Sequence, residues 1–418
     1  MKGNRFSIPD AINDESMISV AEAIQIVRAQ TRKLPAEPVS LEHARGRFLA
    51  QDVVADSDLP PFDRSQMDGY AVRASDVDSV PAKLRVVGES AAGRGWHNEM
   101  KQGEAVRIMT GAPVPPGADS VQQVELTREL GPSEVEIVES VTTGRSIVRR
   151  GSEIKAGQNV LSAGERIGAA GMAVLASFGY AEIIVGRQPR VAVLATGSEL
   201  VAVDQKPDRD QIRDSNNFTI TAYAELAGAI VERLPLAGDD TKLLKRQIAE
   251  AADRSDIVIT SGGVSVGVYD FTKPALRELG AEFFFERVAL RPGKPTVFAR
   301  LPNGTLFFGL PGNPVSVSVT FNLFARTAIL AMQGATDPTL PLEWAVLAHN
   351  VKGAVERESY LPAELSTSEE GILEATPLKW GGSSDFVGFV RATSLIIVPR
   401  DTGIIEAGMR VKLVRLPV

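Results

Sequence analysis

The hydrophobic positions between about residues 189 and 335 form short unbroken runs that alternate with longer amphipathic stretches. RVAVLAT (190–196) and DIVIT (256–260) are runs typical of strands buried inside a parallel sheet. FFFERVAL and TLFFG predict further strands, and helices are predicted at 215–229, 240–254 and 312–334. Strands that alternate with helices in this way predict a doubly wound α/β domain, which binds ligands beyond the C-terminal ends of its strands.

Capping residues mark the ends of the predicted helices. Ser19 and Glu22 form a capping box in front of a further helix, from about 19 to 33. The other starts are assigned to Asp214 or Ser215, to Asp240, and to Asn313 with Pro314, and the last helix ends at Gly334.

The remaining sequence has a β-type pattern, in which short alternating runs are separated by glycine and proline turns. We therefore predict a multidomain α/β protein with β-rich domains and a small C-terminal domain resembling a β-barrel. The predicted parts are an N-terminal segment and helix (1–50), a linker or β domain (51–60 and 146–188), a β-rich domain (61–145), the α/β domain (189–335) and the C-terminal β domain (336–418).

Composition restricts the chemistry. The 418 residues are 44% hydrophobic and 23% charged, and they contain no cysteine, which excludes disulfides, thiolate metal sites and a cysteine nucleophile. The histidines His43, His97 and His349 are far apart, so a bound metal is expected among oxygen ligands, as for magnesium. The net charge of −7 argues against nonspecific nucleic-acid binding. No apolar run reaches the roughly 18–20 residues that cross a bilayer, and the acidic N-terminus does not resemble a signal peptide, so the cytoplasm is the expected location.

A glycine-rich loop, SGGVSVGVYD (261–270), follows the predicted strand DIVIT. Gly262, Gly263 and Gly267 allow positive φ or close approach of the backbone to a ligand. Thr272 and Pro274 then mark a helix start, and this arrangement is suited to an anion. The loop matches neither G-x-G-x-x-G nor a Walker loop.

Three of the predicted strand-end loops carry carboxylates: Glu199 in TGSEL, Asp239 and Asp240 in AGDD, and Asp270 in SGGVSVGVYD. On a doubly wound sheet these groups would converge at one edge. Crowded carboxylates raise one another's pKa unless a cation lies among them, so a divalent ion is expected there. Each acid could equally cap a helix or stay solvated, and this alternative is strongest for Asp240.

Other loops carry candidate binding groups. Arg291 and Lys294 flank the turn in RPGKP, where they could face a phosphate or be solvated. Gly312 and Asn313 in LPGNP would present free N–H groups at a helix start. In the β-rich part, PPFDRSQMDGYAV and RIMTGAPVPPGAD carry the reactive-type groups Asp63, Ser65, Asp68 and Thr110.

These loops together resemble the MoeA family, the molybdopterin molybdenumtransferases, which include the E domain of gephyrin. The matching segments are FDRSQMDGYAV, RIMTGAPVPPGAD, TGSEL, IRDSNN, SGGVSVGVYD, RPGKP and LPGNPVS, and they occur in the family's order. The resemblance implies an elongated homodimer with four domains per subunit, a site shared between subunits, and an α/β domain similar to the molybdopterin adenylyltransferases (MogA-like). It implies insertion of molybdenum from molybdate into adenylylated molybdopterin, release of AMP, and assistance by Mg²⁺, with Zn²⁺ as the alternative ion.

The resemblance also implies roles for individual residues and for partners. The implied catalytic residues are Asp68, Thr110, Glu199, Asp270 and Lys294; the implied substrate-binding residues are Gly262, Gly263, Ser265, Arg291, Gly312, Asn313 and Ser383; the implied metal ligands are Glu199, Asp239, Asp240 and Asp270. A contact with molybdopterin adenylyltransferase is a further expectation, and binding to nucleic acid or membrane is not expected.

One segment departs from the family pattern. Where the family usually reads N-x-R-x-x-G-E-D, this chain has SIVRRGSEI (146–154), so Val148 replaces the arginine and Glu153 stands for the aspartate. Arg149 or Arg150 could compensate. The departure leaves a non-catalytic molybdopterin-binding scaffold as the alternative to an active enzyme. Adenylyltransferase activity, based on the α/β domain alone, is a third reading that the additional β-rich domains argue against.

Overall fold

The computed structural model describes residues 17–238, 240–264 and 271–417. They divide into two compact units. The first contains the described residues up to Gln51, then Ala163–Gly168, and the described residues from Glu182 onward. The second contains Asp52–Ser162 and Ala169–Ala181.

The strands before the α/β region are β1 (Ala36–Ser40), β2 (Val53–Val54), β3 (Arg64–Ser65), β4 (Gly69–Val72), β5 (Ala82–Ser90), β6 (Glu104–Ile108), β7 (Ser120–Gln123), β8 (Thr127–Gly131), β9 (Glu134–Ile137), β10 (Ile147–Val148), β11 (Asn159–Leu161) and β12 (Glu182–Gly186). The α/β region contains β13 (Arg190–Ala195), β14 (Leu200–Val201), β15 (Ile212–Arg213), β16 (Ile230–Arg233), β17 (Ile257–Ser261), β18 (Glu282–Phe285), β19 (Leu290–Arg291), β20 (Val297–Arg300) and β21 (Leu306–Leu310). The C-terminal region contains β22 (Leu342–Leu347), β23 (Val351–Lys352), β24 (Glu358–Thr367), β25 (Leu373–Pro377), β26 (Ser394–Val398), β27 (Ile404–Ile405) and β28 (Arg410–Arg415). The helices are α1 (Val20–Gln30), α2 (Ala169–Ser177), α3 (Asn216–Leu226), α4 (Thr241–Ala252), α5 (Thr272–Glu278), α6 (Pro314–Thr320), α7 (Arg326–Met332) and α8 (Phe386–Phe389).

The predicted doubly wound sheet is confirmed. Six strands lie in the order β16-β13-β17-β21-β20-β18, and the first four run parallel. Successive side chains of β13 point into two different cores, because Val191 and Val193 pack with α3 and α6 while Ala192 and Leu194 pack with α4 and α5. The sheet is thus buried on both faces, which explains its unbroken apolar runs.

Most predicted helix ends are confirmed, with local differences. The hydroxyl of Ser19 accepts from the Glu22 N–H at 3.1 Å and caps α1. In α3 the carboxylate of Asp214 accepts from the Asn217 N–H at 3.1 Å, whereas the side chain of Ser215 makes no capping bond. The long helix predicted to end at Gly334 contains a π-helical segment, Phe321–Ala325, between α6 and α7. The sequence pattern did not predict this segment, since an extra residue in one turn leaves the local composition unchanged.

Among the residues that the structure describes, one helix, Pro314–Met332, is long and apolar enough to cross a membrane. Of its apolar window, 89% is buried inside the structure, as in a core helix.

The C-terminal region closes into a five-stranded barrel, as predicted. Its strands follow the order β24-β25-β22-β28-β26, and β26 pairs again with β24. FFFERVAL, read as one strand, is divided: β18 belongs to the α/β sheet, whereas β19 pairs in parallel with β24 of the barrel.

The second unit is built on a six-stranded sheet in the order β7-β4-β6-β5-β9-β8. Alternate residues of β4 enter different clusters: Tyr70 and Val72 pack on one face, and Ala71 on the other. The MDGYA segment runs from the loop before β4 into that strand, and the MTGAP segment follows β6 directly.

Candidate functional site

The loops that follow β13, β16, β17 and β21 meet at the C-terminal edge of the parallel strands. The Gly197 N–H donates to the Ala237 carbonyl at 3.2 Å, which joins the first two loops. The Gly262 N–H donates to the Leu310 carbonyl at 3.1 Å, which joins the last two. The bases of these loops therefore lie together at one sheet edge in the described residues, while the expected convergence of their carboxylates stays a prediction.

Asn216, in the IRDSNN segment, connects the end of β17 to the loop that follows β21. Its Nδ2 donates to Ser261 Oγ at 3.0 Å and to the Gly312 carbonyl at 2.7 Å. Its Oδ1 is buried and has no hydrogen-bond partner among the described residues. The sequence pattern assigns no role to Asn216; its position in the IRDSNN segment at the start of α3 is the available signal.

The two described glycines of the glycine-rich loop are required by geometry. Gly262 has φ +89°, and a Cβ there would lie 2.5 Å from the Thr196 carbonyl oxygen. Gly263 has φ +64°, and its Cβ would lie 2.8 Å from Thr272 Oγ1. Both positions therefore combine a left-handed backbone with a contact that excludes any side chain.

Two fully buried hydroxyl groups lie at this strand end. Thr260 and Thr272 are each 0% exposed, and neither Oγ1 has a hydrogen-bond partner within the described ranges. A buried hydroxyl without a partner is costly, and such groups in native proteins usually serve a bound molecule or a water.

Of the four predicted metal ligands, Glu199 and Asp240 lie in the described part of the chain. Glu199 is exposed, and its carboxylate folds back over Gly197. Asp240 is the N-cap of α4, because its Oδ1 accepts from the N–H groups of Lys242 at 2.8 Å and Leu243 at 3.2 Å. The capping role is confirmed for Asp240, while its metal role stays a prediction.

Three further candidates lie outside the described residues: Asp239 in AGDD, and Ser265 and Asp270 in the glycine-rich loop. Within the ranges 17–238, 240–264 and 271–417 there is no group of three or more His, Cys, Asp or Glu that could hold a metal. The complete ligand set therefore stays a prediction.

The LPGNP loop is covered by the C-terminal barrel. Asn313 occupies the N-cap position of α6, but its side chain does not cap the helix, because Nδ2 donates to Ser383 Oγ at 2.8 Å. The Val315 N–H donates to the Ser383 carbonyl at 3.0 Å. The Val315 N–H at this helix start is thus not free, while the expectation for Gly312 and Asn313 stays a prediction. The structure does bring together two predicted binding residues, Asn313 and Ser383, that are 70 positions apart.

The RPGKP turn lies against α6. Gly293 packs on the methyl group of Thr320, and the Lys294 carbonyl accepts from the N–H of Thr296 at 3.0 Å. Arg291 is exposed and lies in β19, beside the barrel strand β24. LPGNP and Ser383 therefore lie at the start of α6, whereas the RPGKP turn packs against Thr320, the last residue of that helix.

In the second unit, the structure brings together Asp68 and Thr110, which the sequence separates by 42 positions. Asp68 Oδ1 accepts from the Thr110 N–H at 2.6 Å and from its hydroxyl at 2.7 Å. These two hydrogen bonds, the backbone one first, lower the pKa of Asp68 below its usual value. Both residues are exposed, so a carboxylate held in its ionised form faces solvent.

Three segments of this unit form one surface, which we call the cradle: 62–69, 109–117 and 146–154. The Ser65 N–H donates to the Ala112 carbonyl at 3.0 Å, and the Gln66 N–H to the Ser146 carbonyl at 2.9 Å. The segment that departs from the family pattern therefore lies next to the segment that carries Asp68.

The two arginines that could compensate for Val148 are both paired with acids. Arg149 Nη1 lies 2.6 Å from Asp63 Oδ2, and the Arg150 N–H donates to Asp63 Oδ1 at 2.8 Å. Arg150 Nε lies 2.7 Å from Asp58 Oδ2. These pairs hold the shape of the segment.

Comparison with known sequences gives three matches in chain order. They are the MoeA N-terminal region (domains I and II) over residues 18–179, a probable molybdopterin binding domain over 192–331, and the MoeA C-terminal region (domain IV) over 345–416. Together with the fold and the loops at its sheet edge, they define the class as a multidomain enzyme with a role in molybdenum cofactor biosynthesis.

Relatives along the whole chain specify the family. A molybdopterin molybdenumtransferase of Haemophilus influenzae is 37% identical over 381 residues, which cover 90% of this chain and 93% of that protein. One from Bacillus subtilis is 36% identical over 403 residues, covering 95% and 93%. A crystal structure of a molybdopterin biosynthesis MoeA protein from Pyrococcus horikosii superimposes with a TM-score of 0.78 at 30% identity, covering 96% of this chain and 99% of that one. The chain belongs to the MoeA family.

Proposed function

We propose that this protein transfers molybdenum from molybdate to adenylylated molybdopterin and releases AMP. The observation that carries the proposal is the meeting of four strand-end loops at one sheet edge, where Gly262 and Gly263 leave no room for a side chain. Such an edge allows close approach of the backbone to a pyrophosphate. The names of the relatives support the same substrate class.

Each candidate residue has a proposed task. Gly262 and Gly263 receive the pyrophosphate, and Arg291 and Lys294 balance the negative charge of pterin phosphate or molybdate. The basic groups belong to the turn that packs on α6, so they have a fixed support. Asn216 positions the loops, and the buried hydroxyl groups at this edge can donate to the substrate.

The proposed ion is Mg²⁺, held by Glu199, Asp239, Asp240 and Asp270. Carboxylates are ligands that suit Mg²⁺, and this set contains no imidazole or thiolate that would favour Zn²⁺. Oδ1 of Asp240 caps α4, so Oδ2 is the oxygen that would coordinate the ion. When bound, the ion would polarise the phosphate that links AMP to the pterin.

The proposed assembly is a cytoplasmic homodimer in which Asp68 and Thr110 act on substrate bound by the other subunit. Mixing Asp68→Asn with Glu199→Gln, each inactive alone, should restore about a quarter of the activity if the subunits exchange freely. This figure follows because half of the dimers are mixed and each mixed dimer has one intact site of two. No recovery in a verified mixed dimer would refute the shared site.

Purified protein given adenylylated molybdopterin, molybdate and Mg²⁺ should release AMP. Glu199→Gln and Asp270→Asn should each lower the rate by about a hundredfold or more, the size expected for a lost charged group at the reacting centre. Asp204→Asn, at an exposed acid after β14, is the matched control and should leave the rate unchanged. Tight pterin binding without turnover, under conditions where a relative is active, would refute the enzyme and favour the scaffold alternative.

A further inference from the structure

The register of the cradle shows which residue lies beside position 148. Strand β10 pairs antiparallel with β3, so that Val148 lies opposite Arg64 and Ile147 lies opposite Ser65. Residues directly opposite in such a pair share a face, with their Cβ atoms about 4.5–5.5 Å apart. Ile147 and Ser65 are buried. Val148 and Arg64 therefore share the outward face.

Arg64 is central on that face. On its other side it forms a bridge with Pro113 of the MTGAP segment, so it stands between the other two segments of the cradle. Its Nη2 lies 3.2 Å from Oε1 of Glu153, the residue in the place of the family's aspartate. The two side chains are 38% and 50% exposed, so the pair is open to solvent.

The neighbouring arginines are committed to other contacts. Arg149 and the Arg150 backbone hold Asp63, and the Arg150 guanidinium holds Asp58, whose other oxygen accepts from the Ala156 N–H at 3.0 Å. All three pairs lie at the surface, but the contact of Arg64 is the longest, at 3.2 Å against 2.6 and 2.7 Å, and its carboxylate is the most exposed, at 50% against 35% and 22%. Exposed pairs of this kind contribute little to stability. Arg64 can therefore change partner at little cost.

We propose that Arg64 supplies, from the neighbouring strand, the guanidinium that the family pattern carries at position 148, and that it binds a tetrahedral oxyanion of the substrates. The inference rests on the function proposed above. A guanidinium can form two parallel hydrogen bonds to an oxyanion, which fixes the orientation of that anion. The same cradle carries the ionised Asp68, which would repel an anion unless a cation offsets its charge. The oxyanion is a phosphoryl group of the pterin nucleotide or the molybdate.

The test exchanges the two side chains. Arg64→Val should raise the KM for one substrate by about ten- to a hundredfold, the effect expected when a charge-assisted hydrogen bond is lost. The double variant Arg64→Val/Val148→Arg carries the same two side chains in exchanged positions and should recover most of the loss. The substrate whose KM responds, adenylylated molybdopterin or molybdate, identifies the source of the oxyanion. Arg128→Val is the matched control, since Arg128 pairs across the β8–β9 strands with Glu136 at 3.1 Å.

Three results would overturn the inference: kinetics of Arg64→Val equal to those of Arg128→Val, no recovery in the exchanged variant, or a loss that follows the thermal stability of the variants. If Arg64→Val does not fold, Arg64→Gln keeps the length and apolar stem of the side chain and is measured instead. If the unaltered protein does not release AMP, the proposed function fails, and calorimetric titration of the same variants with adenylylated molybdopterin and with molybdate still decides the role of Arg64.

Discussion

The buried hydroxyl groups of Thr260 and Thr272 lead to a prediction in which one substitution stabilises the free protein but weakens substrate binding. Replacing Thr272 by valine keeps the shape of the side chain and removes a fully buried Oγ1 with which no described residue forms a hydrogen bond. A buried polar group without a partner costs about 1–3 kcal/mol. Thr272→Val should therefore increase the free energy of unfolding by about 1–2 kcal/mol, and Thr260→Val should behave similarly.

Thr305 provides the matched control. It is also buried, but its hydroxyl donates to the Ala252 carbonyl at 2.9 Å and to the Ser255 carbonyl at 3.2 Å. Thr305→Val loses these bonds, and although the Ala252 carbonyl still accepts from Asn303 Nδ2 at 3.0 Å, the Ser255 carbonyl loses the Thr305 hydroxyl as a donor. The variant should be destabilised by about 1–3 kcal/mol. Thr272→Val and Thr305→Val should thus differ by about 2–5 kcal/mol, with the substitution chemistry held constant.

The assay is urea unfolding of each purified variant without ligand, followed by tryptophan fluorescence and compared by midpoint at equal slope. Binding of adenylylated molybdopterin is then measured on the same samples. If the hydroxyl of Thr272 serves the substrate, the stabilised variant binds more weakly than the unaltered protein. The reasoning is refuted if Thr272→Val is destabilised as much as Thr305→Val, since the hydroxyl would then have a partner in the free protein.

Three further predictions follow from single contacts. Asn216→Asp replaces the amide that donates to the Gly312 carbonyl by a carboxylate, which cannot donate. The rate of AMP release should fall at least tenfold. A rate equal to that of the unaltered protein would show that this contact between the loops is not needed. Asp240→Asn preserves the cap of α4, so its free energy of unfolding should match that of the unaltered protein. If Asp240 is also a metal ligand, this variant should need a higher Mg²⁺ concentration for activity, and an unchanged requirement would exclude that role. Asp240→Ala removes the cap and should lower the free energy of unfolding by about 1 kcal/mol in either case. Burial and the bond to Glu129 raise the pKa of Tyr70 to about 12, so ultraviolet titration of Tyr70→Phe should lack one ionisation near pH 12 and none near pH 10. Because the folded pKa is the raised one, the stability contributed by neutral Tyr70 is complete below about pH 10 and is lost towards pH 12; unchanged absorbance at pH 12 would contradict this assignment.

Local patterns predicted much of the fold. Unbroken β-branched runs predicted the strands of the doubly wound sheet, and the caps at Ser19, Asp214 and Asp240 were correct because each bond joins residues within three positions. The edge at which the loops meet followed from strand direction alone, since parallel strands end on the same side.

The parts that the sequence could not predict depend on distant contacts. The sequence pattern predicts Asn313 as the cap of a helix, whereas in the structure its amide donates to Ser383, 70 residues later. The sequence offers Arg149 or Arg150 to compensate for Val148, whereas the register places Arg64 opposite Val148, 84 residues away in sequence (148 − 64). Neither pairing leaves a trace in local composition, because both are set by which segments the fold brings side by side.

The seam between the α/β domain and the barrel limits how the chain can be divided. Strand β19 leaves the α/β domain to extend the barrel, and Ser383 covers the first turn of α6. A truncation after residue 335 would strip the hydrogen-bond partner from the Val315 N–H and leave β19 without its neighbour. The α/β domain therefore does not form an independent unit. Any fusion, domain exchange or truncation of this protein has to keep the α/β domain and the barrel together.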